Sequence, residues 1–321
     1  MRSIWKELFT AAFLGMILPG VVLNVLVMIQ DMKPEAAVQE QTQLQPIQEQ
    51  LSILVTGEDG SVQEQAMDDY LTGVVLAEMP ASFEEEALKA QAVAARTYAQ
   101  KASVTGGKHG NGSICTDPSC CQAYLSEEAY LDKGGTAESV DKVRQAVADT
   151  SGLVLTYEGE LIEATYFSCS GGYTEDAAAV WGADYPYLQA VSSPGEEEAA
   201  HYLTTVHFTP GQFLLALGSV VEGSPEKWFG PVTYTEGGGV ATMEIGGVSY
   251  TGTQLRRLLG LRSTAFSVSV DGEGITITTK GYGHRVGMSQ YGADAMAVAG
   301  STCQEILAHY YPGTQLQIIE P

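Results

Sequence analysis

An uncharged stretch close to the N-terminus is the strongest constraint on how this chain can fold. Residues 8–30, LFTAAFLGMILPGVVLNVLVMIQ, contain no aspartate, glutamate, lysine or arginine. A helix of twenty-odd residues spans a bilayer hydrocarbon core of about 30 Å. No small-x-small cleavage site precedes Asp31. The stretch therefore predicts a membrane anchor rather than a cleaved signal peptide.

The residues on either side of this stretch predict an orientation and a domain organisation. Arg2 and Lys6 precede it, and basic residues favour the cytoplasmic side, so the rest of the chain is expected outside the cytoplasm. Residues 31–50, DMKPEAAVQEQTQLQPIQEQ, are rich in Gln, Glu and Pro, which is typical of a stalk. We expect a cytoplasmic stub and anchor in residues 1–30, then this stalk, then one folded domain in residues 51–321.

Composition narrows the class of protein. The chain has 39 acidic and 16 basic residues, a formal net charge of −23. It therefore lacks the basic footprint expected of a protein whose main partner is nucleic acid. At 45% hydrophobic residues, its 321 residues can bury a substantial core. Its mixture of helical and alternating segments predicts an α+β ectodomain with a substrate cleft.

The segment VVLAEMP places a glutamate at the end of an apolar run. A helix is predicted from about Gln65 to Met79, and Tyr70, Val74 and Glu78 share its buried face. Pro80 stops the helix. Burial and the negative end of the helix dipole should raise the pKa of Glu78, as general-acid catalysis requires. A buried glutamate paired with an arginine is an equally good interpretation of the spacing alone.

A second helix is predicted over EEALKAQAVAARTYAQKA. Ser82 and Glu85 match the S-x-x-E pattern of a capping box. The alanine-rich face of this helix would let a neighbouring element approach closely. Arg96 lies on this helix and is a candidate partner for a carboxylate in the cleft, although a surface position is the commoner role for an arginine.

The loop at residues 105–121, TGGKHGNGSICTDPSCC, combines turn-forming residues with four metal-binding side chains. His109, Cys115, Cys120 and Cys121 offer enough ligands for tetrahedral zinc, which would stabilise a loop of low hydrophobic content. The adjacent cysteines are irregular for a zinc finger, and disulfides are a reasonable alternative outside the cytoplasm. We favour a structural zinc site, with the disulfide alternative open.

Downstream, LVLTYEGELIEATYFSCSGG predicts two strands joined by a turn at Glu158 and Gly159. Ser168 and Tyr173 follow on a stretch of hydroxyl groups and flexible backbone. The next aromatic residues are Trp181, Tyr185 and Tyr187. They could pack against a sugar, but each is predicted to be a core residue. Residues 195–278 are interpreted as an insertion of mixed helices and strands.

The C-terminal motif GYGHRVGMSQYGADAMAVAG groups polar side chains on a glycine-rich loop. His284, Ser289, Gln290 and Tyr291 fall close together in it, and such a cluster is more often a site than a structural feature. No phosphate loop, dinucleotide fingerprint or Ser-His-Asp order is present.

Three segments, EMPASFEEEALKAQAVAARTYA, SCSGGYT and GYGHRVGMSQYGADAMA, occur in this order. They resemble the stage II sporulation protein D family, over roughly residue 51 to the C-terminus. The resemblance implies a lytic transglycosylase that cleaves the β-1,4 bond between N-acetylmuramic acid and N-acetylglucosamine in peptide-stripped peptidoglycan. The product carries a 1,6-anhydro end. The implied catalytic acid is the glutamate of E-M-P, here Glu78.

The resemblance also implies a zinc ligand set and two departures from the family pattern. Some clostridial members bind zinc through His and Cys in the loop after the long helix, where His109, Cys115 and Cys121 fit. Cys120 stands where a histidine is expected. Arg285 replaces a glycine in the usual GHGVGMSQ, which would alter the cleft wall. The expected sugar-contacting residues are Arg96, Ser168, Tyr173, His284, Gln290 and Tyr291.

Partners and location follow from the same resemblance. They are peptidoglycan strands, the peptide-stripping amidase stage II sporulation protein P and a multipass membrane scaffold protein, at the mother-cell membrane facing the forespore during engulfment. The same domain occurs in amidase enhancers, which stimulate a partner enzyme without cutting glycan. A non-catalytic enhancer or wall-binding module is therefore the alternative.

Overall fold

A computed structural model describes residues 51–57 and 59–320 of the chain. The predicted anchor in residues 8–30 and the predicted stalk in residues 31–50 lie outside these described residues. Among the helices of the described ranges, none has the length and the apolar character that crossing a bilayer requires.

Two consecutive helices lie at the centre of the larger core: α1, Met67–Glu78, and α2, Glu85–Thr105. The buried side of α1 includes Tyr70 and Val74, as their spacing predicts. The helix begins two residues later than predicted, because the preceding Val62–Ala66 is a strand. Gln65 and Ala66, which were predicted to begin the helix, are therefore the last two residues of this strand.

The capping box predicted for α2 is wrong. The N-cap is Glu84, and no side chain at that position accepts a helix N–H. Instead, the backbone N–H of Glu84 donates to the Asp294 carboxylate at 2.7 Å, across 210 positions of sequence. A carboxylate is favourable at a helix N-terminus, so a tertiary contact takes the role that the local pattern assigned to Ser82.

The remaining elements of the described part have at most 13 residues each. The helices are α3 Glu127–Asp132, α4 Ala137–Asp149, α5 Ala177–Trp181, α6 Pro210–Leu217, α7 Gly252–Leu258, α8 Gln290–Val298 and α9 Cys303–Tyr310. The strands are β1 Ser52–Thr56, β2 Val62–Ala66, β3 Ile114–Cys115, β4 Leu153–Tyr157, β5 Glu160–Leu161, β6 Tyr166–Phe167, β7 Leu203–Phe208, β8 Phe229–Tyr234, β9 Val240–Ile245, β10 Val248–Thr251, β11 Ala265–Asp271, β12 Gly274–Lys280, β13 Met288–Ser289 and β14 Gln315–Ile318.

The strands of the described residues pair into small sheets, in the orders β2-β1-β3, β14-β4-β5, β13-β6, β11-β12-β7 and β10-β9-β8. The pairing of β13 with β6 is parallel and joins the C-terminal motif to the SCSGGYT region. Small sheets among packed helices confirm the predicted α+β class.

The hairpin predicted at Glu158 and Gly159 is confirmed. Strands β4 and β5 pair antiparallel, with Tyr157 opposite Glu160. Glu158 has φ 51° and Gly159 has φ 86°, and positive φ at both central residues is the signature of a type I′ turn.

Two separate clusters of buried hydrophobic side chains hold the elements together. The larger one includes residues of α1, α2, α4 and α9, such as Leu71, Val93 and Leu307. The smaller one joins α6, α7 and the sheets of β7 to β12 through residues such as Phe213 and Leu255. Each cluster can supply its own hydrophobic stabilisation.

Candidate active site

A cleft of about 780 Å³ opens where the end of α1, the Cys/His loop and the C-terminal motif meet. Its lining residues are Ala77, Glu78, Tyr98, Lys108, Pro118, Ser119, Cys120, Cys121, Gln122, Ala164, Thr165, Tyr166, Phe167, Ser168, Trp181, Tyr282, Gly283, His284 and Gln290. The site residues Glu78, Ser168, His284 and Gln290, which come from three distant segments of the chain, are thus brought to one cavity.

Glu78 is the last residue of α1 and lies partly buried in the wall of this cleft. Its Oε1 accepts a hydrogen bond from the backbone N–H of Ala123 at 3.0 Å, and its Oε2 accepts one from the Gln290 amide at 3.2 Å. Burial raises the pKa of Glu78 above its usual value, and these two hydrogen bonds oppose that effect without cancelling it. The carboxyl group is therefore both oriented and biased towards its protonated form.

The Ala123 N–H is held near Glu78 by a network of buried polar groups around Gln122. The Gln122 amide donates to the Tyr166 hydroxyl at 2.7 Å, and its oxygen accepts from the Tyr70 hydroxyl at 3.1 Å. Burial raises the pKa of Tyr166 well above its usual value, so this phenol stays neutral. No sequence pattern pointed to Gln122 or Tyr166, because their roles depend on elements that meet only in the fold.

The four metal-binding side chains of the loop converge. One ligand atom from each of His109, Cys115, Cys120 and Cys121 lies within 4.8 Å of the others. All five cysteines of the chain lie in the described part, and none of them forms a disulfide. The loop is therefore arranged as a cluster of separate thiols and one imidazole.

The spacing among the His109, Cys120 and Cys121 ligand atoms fits tetrahedral zinc. Cys120 Sγ lies 3.7 Å from Cys121 Sγ and 3.8 Å from His109 Nε2, and Cys121 Sγ lies 3.6 Å from that nitrogen. The edges of a zinc tetrahedron with bonds of about 2.0–2.3 Å are roughly 3.3–3.8 Å long. Four protein ligands would fill such a site, as in a structural zinc centre rather than a catalytic one.

His284 is held as a neutral imidazole in the cleft wall. The backbone N–H of Val286 donates to its Nδ1 at 3.1 Å, which leaves the proton of the neutral ring on Nε2. Burial, with the charge of Arg256, lowers the pKa of His284 to about 4. His284 therefore does not supply an acid near neutral pH.

Trp181 corrects one sequence expectation. The side chain was predicted to be core, but 43% of Trp181 is exposed, and it lines the cleft with its ring centre 5.3 Å from that of His284. Tyr187 is buried, as predicted. An exposed indole beside a polar cleft offers a flat apolar face of the kind that packs against a sugar ring.

The prediction that Arg96 faces the cleft is wrong. Arg96 is fully buried, and its guanidinium donates to the carbonyl oxygens of Val147 and Thr150 and pairs with Asp68 at 3.2 Å. Its hydrogen bonds connect α2 to the C-terminal end of α4 instead. The carbonyls at a helix C-terminus lack intrahelical partners, which explains why a buried arginine is stable there.

Two other predicted sugar-contacting residues lie away from the cleft lining. Tyr173 is 54% exposed and pairs through its backbone with Ser192. Tyr291 packs edge-on against Phe83, with ring centres 5.0 Å apart. Neither lines the cavity that contains Glu78.

Arg285 does not form the cleft wall that its replacement of a glycine led us to expect. Its φ is 67°, a conformation that glycine adopts more easily. The side chain is 2% exposed, pairs with Glu175 at 2.9 Å and donates to the carbonyls of Ser170, Tyr173 and Gly237. The arginine thus joins the C-terminal motif to the β8–β9 turn.

Glu78 supplies the sole carboxylate among the described residues that line the main cleft. An adjoining cavity of about 470 Å³ contains a second one, Glu163, which is ion-paired with Lys101 at 2.9 Å. The arrangement can therefore deliver one proton from one partly buried acid, beside a wall of aromatic and hydroxyl groups.

Comparison with known proteins identifies the family. A family model described as stage II sporulation protein matches residues 56–157, which include α1, α2 and the Cys/His loop. The chain is 42% identical over 261 residues to stage II sporulation protein D of Bacillus subtilis (strain 168), covering 80% of this chain and 76% of that protein. The chain belongs to the stage II sporulation protein D family. The resemblance inferred from the three motifs is confirmed.

Two more relatives are similar to this chain over most of its length. Stage II sporulation protein D of Bacillus amyloliquefaciens is 42% identical over 261 residues, covering 80% of this chain and 75% of that protein. An amidase enhancer of Bacillus subtilis (strain 168) is 33% identical over 304 residues, covering 77% of this chain and 40% of that protein. Sporulation and a relation to the cell wall are thus the functional setting of the family.

Proposed function

We propose that this protein is a peptidoglycan lytic transglycosylase acting on peptide-stripped glycan strands during sporulation. The observation that carries the proposal is Glu78, a partly buried carboxyl with a raised pKa, held by two hydrogen bonds in the wall of a cleft. An acid that keeps its proton is required to protonate a glycosidic oxygen.

One carboxyl group is sufficient for this reaction. Glu78 donates its proton to the oxygen between N-acetylmuramic acid and N-acetylglucosamine, and the bond from that oxygen to C1 breaks. The resulting carboxylate then takes the proton of the C6 hydroxyl, whose oxygen bonds to C1. The products are a 1,6-anhydro end and a free 4-hydroxyl, and Glu78 regains its proton, so no water is consumed.

A hydrolytic mechanism fits the cleft less well. Glycosidases that hydrolyse their substrate usually place two carboxyl groups about 5–10 Å apart on either side of the scissile bond. No second carboxylate of the described residues lines the main cleft, and Glu163 in the adjoining cavity is ion-paired with Lys101. This supports intramolecular attack by the sugar over attack by water.

The cleft wall supplies groups that can orient the glycan. Trp181 offers a face for sugar packing, and Ser168 and His284 offer polar contacts beside it. Gln290 reaches Glu78 directly and is a positioning residue for the acid.

We further propose that zinc held by His109, Cys115, Cys120 and Cys121 orders the Cys/His loop, which ends two residues before Ala123. The four ligand atoms converge, and those of His109, Cys120 and Cys121 have the spacing of a tetrahedral site. Cys120 and Cys121 also line the cleft. When bound, the metal would supply no chemistry to the sugar. It would keep the Ala123 N–H aimed at Glu78.

The remaining expectations stand as proposals with this function. The protein would be anchored by residues 8–30, with its N-terminus cytoplasmic and its catalytic domain outside, on the mother-cell membrane facing the forespore. Its partners would be the amidase stage II sporulation protein P, which prepares the stripped strands, and a multipass membrane scaffold protein.

A second function is favoured by one comparison. An amidase enhancer is among the relatives, which supports a function in which this chain binds the wall and stimulates an amidase. That function needs no acid of raised pKa, so it leaves the environment of Glu78 unexplained.

Digestion of amidase-stripped glycan by the full-length protein, with products weighed by mass spectrometry, tests the proposal. The wild type should release 1,6-anhydro products, and Glu78→Gln should reduce the rate by roughly 10²–10⁴. Asp69→Asn, an exposed acid on the same helix, is the matched control and should retain activity. Normal product release by Glu78→Gln contradicts the assignment. Amidase stimulation without glycan products from the wild type supports the enhancer function instead.

A further inference from the structure

A second cavity of about 730 Å³ lies next to the catalytic cleft and is lined by three arginines, Arg256, Arg257 and Arg262. We call it the arginine cavity. Tyr282 lines both this cavity and the cleft. The consecutive residues Val180 and Trp181 of α5 line the arginine cavity and the cleft respectively. The two cavities are therefore neighbours separated by single side chains.

The three arginines have no carboxylate partners within the described ranges of the chain. The other described arginines, Arg96, Arg144 and Arg285, each pair with an acid. In a protein with 39 acidic and 16 basic residues, three unpaired guanidinium groups around one cavity are a local reversal of charge. No aspartate or glutamate of the described part lines it.

Two of the three arginines lie close to the boundary with the cleft. The Arg262 guanidinium carbon lies 4.4 Å from the centre of the Tyr282 ring, a cation–π arrangement that fixes its position. Arg256 is half-buried, and its charge contributes to the lowered pKa of His284 in the cleft wall. The positive field of the arginine cavity thus reaches the glycan cleft.

We propose that the arginine cavity binds the carboxylate of a muramic acid lactyl group on the glycan strand lying in the cleft. This inference rests on the proposed function and assigns the residues that select the substrate. Guanidinium groups bind carboxylates through paired hydrogen bonds, more strongly than neutral donors do.

The chemistry of the strand explains why such a site would select stripped glycan. While a stem peptide is attached, the lactyl carbonyl is part of an amide and carries no charge. Removal of the peptide by hydrolysis leaves a free carboxylate at the same atom. Three unpaired arginines would favour the charged form, and the amide form would leave the half-buried Arg256 without a charged partner, which adds discrimination against it.

The test compares the binding of two defined tetrasaccharides to the full-length Glu78→Gln protein, which cannot cut them rapidly. One carries free lactyl carboxylates, and in the other these groups are converted to methylamides. We expect the carboxylate form to bind at least about tenfold more tightly, with a preference that weakens as salt is raised. Equal dissociation constants for the two ligands would overturn the proposal without any further variant.

Substitutions then show which residues cause the preference for the carboxylate ligand. Arg257→Gln and Arg262→Gln, at exposed positions, should each lower the ratio of the two dissociation constants severalfold. Arg144→Gln removes the same charge from the exposed surface of α4 and should leave the ratio as in the parent protein. A ratio that survives both cavity substitutions, or falls equally in Arg144→Gln, contradicts the assignment.

The outcome is separable from that of the proposed function. Failure of the wild type to form anhydro products, together with a carboxylate preference that depends on Arg257 and Arg262, would reject the transglycosylase and retain the binding site. Anhydro products formed with no carboxylate preference would retain the transglycosylase and reject the binding site.

Discussion

The side-chain amide of Gln290 donates to Glu78 Oε2 at 3.2 Å and joins residues 212 positions apart. Gln290 is the first residue of α8, and Glu78 is the last residue of α1. The contact thus brings the E-M-P segment and the C-terminal motif to one carboxyl group. Because the amide stabilises the carboxylate, it limits how far burial raises the pKa of Glu78.

Gln290→Ala should slow product formation and change its pH dependence. Loss of one hydrogen bond to the acid is expected to lower kcat by about tenfold. It should also move the alkaline limb of the pH–rate profile to higher pH, because that hydrogen bond lowers the pKa of Glu78. A stopped assay of anhydro ends across pH measures both effects. Tyr291→Phe, the neighbouring residue outside the cleft lining, is the control; a lower kcat with an unshifted profile contradicts the positioning role.

The raised pKa of Glu78 also predicts how stability depends on pH. Below the usual glutamate pKa of about 4.3, both folded and unfolded chains carry the proton. As pH rises through the raised folded pKa, the unfolded chain has already lost its proton, so the stability contributed by neutral Glu78 is lost. The free energy of unfolding of the wild type minus that of Glu78→Gln should therefore fall as pH rises above the usual glutamate pKa of about 4.3, as measured by urea denaturation. A difference that grows with pH would rule out a raised pKa.

Arg285→Lys should destabilise the protein by about 2–4 kcal/mol. A lysine keeps the charge but cannot make the forked contacts of the guanidinium to Glu175 and the three carbonyls. Lysine has the same backbone strain at φ 67°, so the comparison isolates the side chain. The control Arg144→Lys alters an exposed pair and should cost less than about 1 kcal/mol. Similar losses in both variants, from denaturant unfolding, would contradict the buried role.

Zinc should be present in near-equimolar amount when the full-length protein is purified without chelators. Cys120→Ser should lower the zinc content or affinity, because it removes one of four thiol or imidazole ligands. Cys303→Ala, a buried cysteine outside the loop, is the control and should bind zinc normally. Elemental analysis and competition with a chromogenic chelator give the readout. A zinc-free protein with a mapped disulfide at Cys115 would reject the site.

Much of the local structure could be predicted because it depends on nearby residues. The spacing of Tyr70, Val74 and Glu78 was enough to predict α1 and its buried side. The Glu158–Gly159 turn could be predicted because its conformation depends on the residue types at those two positions. The convergence of His109 with the three cysteines was also visible from their separation in the loop.

The errors concern contacts between distant segments. Asp294 caps α2 where Ser82 was expected to do so. The guanidinium of Arg96 donates its hydrogen bonds to carbonyls at the end of α4, about fifty positions later in the sequence, and does not reach the cleft. Arg285 pairs with Glu175 rather than facing the cleft. A sequence pattern records which side chains can form ion pairs or caps, but the partner is chosen by packing.

Isotopic labelling of the product tests most directly whether one acid and the substrate's own hydroxyl complete the reaction. The full-length protein is given amidase-stripped glycan in ¹⁸O-labelled water, and new chain ends are analysed by mass spectrometry as they form. We predict 1,6-anhydro ends without ¹⁸O, because the C6 oxygen of the sugar attacks C1. New reducing ends that carry ¹⁸O from the start would show attack by water and contradict the mechanism.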